Sequence, residues 1–244
     1  MKKISNDVLN SFVNSNIDEF HKQKANILKK LSLKNILKKK NPYLFRAKNI
    51  NSAGEFVDDL LGAFLSSSEE KLFGDFLEKL AIFISQKTCD GKKSSATGID
   101  LEFENDDMHY IVSIKSGPNW GNSSSSKKQV VDFQNAVTVL KQANKKANIQ
   151  PVLGICYGKQ ESSYRGNIMR VTGQSFWHLI SGDKNLYTQI IEPIGYRAKE
   201  HNETFLDEKS KTINLFTQEF LKDFCVKGVI DWKKLVTFNS GNMK

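Results

Sequence analysis

GIDLEFENDDMHYIVSIKSGPNW, residues 98–120, decides how this chain folds. From Ile99 to Glu104 apolar and acidic residues alternate. Ile99, Leu101 and Phe103 fall on one face of a strand, and Asp100, Glu102 and Glu104 on the other. Asn105-Asp106-Asp107 signals a turn, and Met108–Lys115 returns as a second, more apolar strand. The run climbs to Lys115 and breaks into Ser-Gly-Pro-Asn-Trp. The pair predicts a β-hairpin. With a two-residue turn at Asp106-Asp107, Asn105 opposes Met108 and Asp100 falls opposite Ser113. Opposed residues share a face, so Asp100, Glu102, Ser113 and Lys115 are expected on one side of the sheet. A one-residue change in the turn would invert that arrangement.

Outward from the hairpin the pattern turns helical. On the N-terminal side, residues 5–22 and 25–40 predict two amphipathic helices, the second closed by Asn41-Pro42. Residues 52–65 predict a third. Ser66–Glu69 and Ser67–Glu70 fit capping boxes, so a separate fourth helix is expected to begin there. It would carry the apolar stripe Leu72, Phe73, Phe76, Leu77, Leu80 and Phe83, with Glu78 inside the stripe. On the C-terminal side, Val130, Phe133, Val137 and Leu140 space a helix. Pro151–Tyr157 suits a buried strand, and 167–173 a further strand. Helical segments follow at 173–182, 187–194, 214–226 and 231–236. Helix, hairpin, helix, strand implies an α/β (α+β) fold with a mixed sheet flanked by helices. We expect a single domain over residues 1–244, with a helical part at 1–65, a core at 66–160 and a mostly helical part at 161–244.

The 244 residues, 39% of them hydrophobic and 16 of them Phe, suit a packed core rather than a disordered chain. No apolar run approaches the roughly 20 residues of a membrane helix. The opening MKKISNDVLNSF has no continuous apolar stretch, so no signal peptide is expected. Cys89, Cys156 and Cys225 are few and scattered. They suggest reduced thiols and a cytoplasmic protein rather than a disulfide framework or zinc site. The net charge of +9 favours a polyanionic partner. A merely lysine-rich surface would give the same number.

The hairpin's polar face could carry phosphodiester chemistry. That reaction needs an activated water, offset charge on the phosphate and a stabilised leaving oxygen, and a divalent ion supplies much of this. Mg²⁺ accepts a few hard oxygen ligands and keeps several waters. Asp100 can supply one carboxylate, and Lys115 a point charge. Ser113 cannot act as an anionic ligand, so a second acid must come from elsewhere. Glu78 is favoured, because a carboxylate in so apolar a helix needs a partner or a metal. Glu102, about 7 Å along the strand from Asp100, comes third. Gln129 and Asp132 follow on the next helix, Asp132 as a weaker choice. The bland alternative is an exposed sheet face with a surface salt bridge. The loop Gly117–Ser124 exposes backbone N–H groups and leads into a helix N-terminus, a place where phosphate binds. Asn119, Asn122, Ser123, Lys127 and Lys128 are candidate DNA contacts there. Trp120 either stacks on the nucleic acid or anchors the loop. Arg165, Asn167 and Arg170 are candidate base readers, whereas Arg46 and Lys38–Lys40 suit backbone phosphates. His109 and His178 lack metal-ligand spacing.

GIDLEFE, YIVSIK and the order of elements resemble the PD-(D/E)xK nuclease superfamily. KKKNPYLFRAKNI (38–50), SSSEEKLFGDFLEKLAIFI (66–84), SIKSGPNWGNSSS (113–125) and GQSFWHLISG (173–182) resemble a type II restriction endonuclease family, the PmeII-type enzymes. The resemblance implies Mg²⁺-dependent, sequence-specific cleavage of double-stranded DNA. It also implies a homodimer and a cognate DNA methyltransferase protecting the same site. By that resemblance Asp100 is the first acid and Lys115 the lysine. Ser113 departs from the second acid, and Glu78 matches a helix glutamate recruited in its place. The alternatives are a structure-specific repair or junction nuclease of the same fold, and a basic DNA-binding protein without catalysis.

Overall fold

The computed structural model describes residues 1–243. In chain order the helices are α1 (Asn6–Lys29), α2 (Leu33–Leu37), α3 (Pro42–Ala47), α4 (Ala53–Cys89), α5 (Ser123–Ala143), α6 (Gln174–Ser181), α7 (Leu186–Gln189), α8 (Ile191–Ile194), α9 (Ala198–Phe224) and α10 (Trp232–Ser240). The strands are β1 (Lys92–Lys93), β2 (Leu101–Asn105), β3 (Met108–Lys115), β4 (Ile149–Ile155), β5 (Ser163–Arg165), β6 (Ile168–Thr172), β7 (Cys225–Val226) and β8 (Val229–Ile230). Six strands form one mixed sheet in the order β1-β2-β3-β4-β6-β5, and β7 and β8 form a small hairpin. The expected α+β class with a mixed, helix-flanked sheet is what the chain adopts.

The decisive hairpin has the expected register, with Asn105 opposite Met108 and Leu101 opposite Val112. Asp106 and Asp107 both take left-handed backbone, at φ 51° and 59°. Two such residues in a two-residue loop match the right-handed twist of the strands they join. β3 then pairs in parallel with β4, and β4 with β6. Parallel pairing requires a crossover, and α5 makes the first one.

Several helical boundaries differ from the sequence expectation: the helix expected at 214–226 already begins at Ala198 and ends at Phe224, where β7 starts, and the one expected at 187–194 is the pair α7 and α8. Residues 53–89 form one helix of 37 residues, not two. Ser67 and Ser68 turn their hydroxyls back onto the carbonyls of Ala63 and Phe64 rather than capping a new start. The cap in use lies earlier, where Ser52 Oγ accepts the Glu55 N–H at 3.1 Å. Buried Leu60, Leu61 and Leu65 on one side of the serines, and Phe76, Leu77 and Leu80 on the other, keep the helix packed past them. Likewise α1 runs unbroken to Lys29, and the expected second helix shrinks to α2. Asn41 does more than end it. Its side chain accepts the N–H groups of Tyr43 and Leu44, and Pro42 occupies the first turn of α3.

The chain divides into two compact units. The first joins Met1–Ile17 to Phe73–Tyr196 and holds the six-stranded sheet. On one sheet face Ile99, Ile111 and Ile168 pack with Phe133 and Ala136 of α5. On the other, Gly154 of β4 receives the ring of Phe176 from α6, where a Cβ would lie 2.3 Å from a ring carbon. The second unit joins Asp18–Leu72 to the chain from Arg197 onward. Its core is aromatic, with Phe56 stacked on Phe220 at 4.5 Å among Leu33, Ile36, Leu60, Leu61 and Leu235.

Candidate active site

The parallel strands β3, β4 and β6 end together at one edge of the sheet, in the row Lys115–Ile155–Thr172. Asp100, just before β2, reaches the same edge because β2 runs antiparallel to β3. The Ile114 N–H donates to Asp100 Oδ2 at 2.6 Å, and Ser113 Oγ lies 3.3 Å from the same oxygen. One carboxylate oxygen is thereby fixed to the neighbouring strand, and Oδ1 takes neither bond.

Glu78 comes to this site from α4. Burial raises its proton affinity first, and the nearby charge of Asp100 raises it further. Lys93 and Lys115 oppose that shift. Two carboxylates close enough to repel, half-buried beside a lysine, gain stability from any cation placed between them. Among the described residues no three His, Cys, Asp or Glu side chains form a metal-holding group. Asp100 and Glu78 are the two carboxylates at this edge that could hold a hard, largely hydrated cation.

Lys115 Nζ lies over the Trp120 ring, 5.5 Å from its centroid. The loop bearing Trp120 is seated by close contact, since a Cβ on Gly117 would lie 2.3 Å from the Tyr157 hydroxyl. Trp120 thus touches the lysine itself, a contact the sequence reading did not anticipate.

Glu102 shares the face of Asp100 but is engaged elsewhere. It is 9% exposed, accepts the Ser94 hydroxyl at 2.5 Å and sits 3.3 Å from His109 Nε2. It lines a cavity of about 680 Å³ with Lys92, Lys93, Asp132 and Asn135. Asp132 packs against Gly98, whose φ of +76° and missing Cβ make room for it.

Asn122 caps α5 by accepting the Ser125 N–H at 3.0 Å. Asn119, Ser123, Lys127 and Lys128 are exposed around that helix start. Arg170 lies on β6 level with Leu153 and hence with Ser113, and its Nε is buried without a hydrogen bond. Arg165 and Asn167 instead flank the β5–β6 turn. That turn is at the opposite end of the sheet from Lys115, and the structure does not bring them to the acids.

The residue brought in beyond those singled out as site residues is Gln129. It is buried on α5, with Oε1 3.0 Å from Ser113 Oγ and Nε2 3.2 Å from the Gly98 carbonyl. Its signal in the sequence was a polar residue in phase with the buried Phe133 and Ala136, four and seven positions on.

The model of the type II restriction endonuclease EcoO109I family matches residues 7–202. The chain belongs to this family. The matched stretch includes Glu78, Asp100, Ser113, Lys115, Trp120 and Gln129. Family membership makes the chain a restriction endonuclease, with DNA as its substrate. A comparison with curated proteins finds no match.

Proposed function

We propose that this restriction endonuclease hydrolyses phosphodiester bonds of double-stranded DNA at a defined sequence, using Mg²⁺ held by Asp100 and Glu78. The observation that carries this reading is the pairing of those acids beside Lys115 at the end of β3. The core is read as a PD-(D/E)xK site with Ser113 in the second acid's place. The narrower PmeII-type kinship rests on the stretches 66–84 and 113–125.

A bound Mg²⁺ would supply Lewis acidity and a water of lowered pKa. The protein's part is positional and electrostatic. The Ile114 N–H fixes Asp100, α4 carries Glu78 to the same place, and the Lys115 ammonium offsets charge on the attacked phosphate. Glu102, tied to Ser94 and His109, supports β2 instead. The exposed groups at the start of α5 are suited to flanking phosphates. Arg170, in register with Ser113 across β4, is a proposed DNA contact on the acids' side of the sheet. Arg165 and Asn167 would contact DNA from the other end of the sheet. The working form is a cytoplasmic homodimer, a single domain per chain, paired with a methyltransferase that protects the host's copies of the site.

Incubation with plasmid DNA tests the reading. Fixed bands with Mg²⁺ and none with EDTA are expected. Bands that persist in EDTA exclude the metal. A smear or cleavage only at junctions favours a structure-specific nuclease, and DNA binding with no cleavage leaves a non-catalytic protein.

A further inference from the structure

We infer that Gln129 is a positioning residue for Asp100, and that this function requires an amide. The inference rests on the metal-dependent reading above. Ser113 is fully buried, and its hydroxyl has one proton but two acceptors within reach, Asp100 Oδ2 at 3.3 Å and Gln129 Oε1 at 3.0 Å. The Gly98 carbonyl fixes which way the amide faces. It accepts only from the Gln129 Nε2 group, at 3.2 Å, and this turns Oε1 toward Ser113. With the amide reversed, two carbonyl oxygens would face each other inside the protein.

The consequence is a tether at both sides of Asp100. Gly98 lies two residues before it in the chain, and Ser113 lies across the hairpin from it. Both are tied to the same side chain on α5. Gln129 therefore sets where the segment 98–100 enters the sheet and how the Asp100 carboxylate stands relative to the edge. A glutamate at 129 could accept from Ser113 but could not donate to Gly98. It would also add a negative charge to a site where Asp100 already raises the proton affinity of Glu78. The position usually filled by a second anionic ligand is here a neutral Ser–Gln pair, which fixes the backbone on either side of Asp100 while the Ile114 N–H holds its carboxylate.

Calorimetric titration of the DNA-free protein with Mg²⁺ and Ca²⁺ tests this on wild type, Gln129→Glu and Gln129→Ala. Single-turnover cleavage and DNA affinity are measured alongside. Outer residues that orient a ligand typically contribute about 10- to 100-fold to metal affinity or activity. Both variants are expected to bind the ion about 10-fold more weakly and to cleave more slowly, with DNA affinity unchanged. A merely structural role would lower the melting temperature and leave the ion affinity of the folded protein unmoved, which would overturn the inference. Tighter ion binding by Gln129→Glu with equal or faster cleavage would make position 129 a ligand site, and would also overturn it. The isosteric Gln129→Glu decides the matter if Gln129→Ala fails to fold. Wild type that binds neither ion sinks the metal reading itself. Wild-type binding with unchanged variants sinks only the role of Gln129.

Discussion

Two carboxylates two residues apart on one face of the hairpin, Asp100 just before β2 and Glu102 within it, meet opposite conditions. At the Lys115 end, Asp100 faces Glu78, and neither acid has a basic partner within ion-pair distance among the described residues. Nearer the turn, Glu102 is more deeply buried, yet it accepts the Ser94 hydroxyl and has His109 Nε2 3.3 Å away. Burial alone therefore does not separate the proposed metal ligand, Asp100, from Glu102. The distinguishing property is the neighbour each acid has: Asp100 stands by a second carboxylate and raises its proton affinity, whereas Glu102 accepts a hydroxyl and has an imidazole beside it. A functional site is expected to break local rules in this way while its supports keep them.

The sharpest test sets the two strand acids against each other. Asp100→Ala is expected to lower cleavage on the order of 10³-fold, the scale of losing a group that acts in the transition state. DNA binding, read by gel shift in Ca²⁺, should persist. Lys115→Ala should behave similarly. Glu102→Gln should cleave at near the wild-type rate. If Glu102→Gln is as inactive as Asp100→Ala, the contrast between the two ends fails.

Glu78 offers a second test, because strain and function should trade against each other. Its folded-state pKa is raised above the unfolded value. The native protein thus holds the proton longer as pH rises, and stability falls through that interval. At neutral pH, Glu78→Gln should lose cleavage yet melt higher than wild type. In acid, below the ordinary carboxylate range, the difference in melting should vanish. Mg²⁺ should raise the melting temperature of wild type and do so less for the variant. A variant that melts lower at neutral pH would make Glu78 a structural residue.

Glu102 should show the converse. Glu102→Ala removes the acceptor of the Ser94 hydroxyl inside the protein, at a cost of about 1–3 kcal/mol in stability. Urea unfolding measures that loss, and the cleavage rate of the folded fraction should stay near wild type.

Much of this contrast was legible in the sequence. Alternation at 99–104 and the Asp106-Asp107 turn gave the register, because period-two patterning and turn chemistry are both local. Glu78 stood out as an acid in an apolar stripe. The different fate of Glu102 was not legible, since Asp100 and Glu102 have the same parity. What separates them is Ser94 on the segment before β2 and His109 on β3, brought in by tertiary structure. The unbroken α4 was hidden for a related reason. Ser66–Glu69 and Ser67–Glu70 look like caps, but packing on both sides outweighs local capping preference, while the cap in use, Ser52–Glu55, has the same spelling. Gln129 stands in the sequence only as a residue following Lys115 on the next helix, beside Asp132; its partners, Ser113 and the Gly98 carbonyl, are brought to it by the fold.

The smallest expected effect concerns Trp120, which separates positioning of the lysine from contact with DNA. Its ring lies under the Lys115 ammonium at 5.5 Å, and a partly exposed cation–π contact contributes about 0.5–1 kcal/mol. Trp120→Phe keeps a weaker aromatic face, and Trp120→Leu removes it. If the ring's task is to hold Lys115, single-turnover cleavage should fall about 2- to 5-fold in Trp120→Leu, the rate equivalent of that energy. Trp120→Phe should lie in between, and DNA affinity should stay unchanged in both. If the ring stacks on a base, Trp120→Leu should instead weaken DNA binding, by about 1–3 kcal/mol for a stacked base. The ratio of those two losses assigns Trp120 either to the lysine or to the substrate.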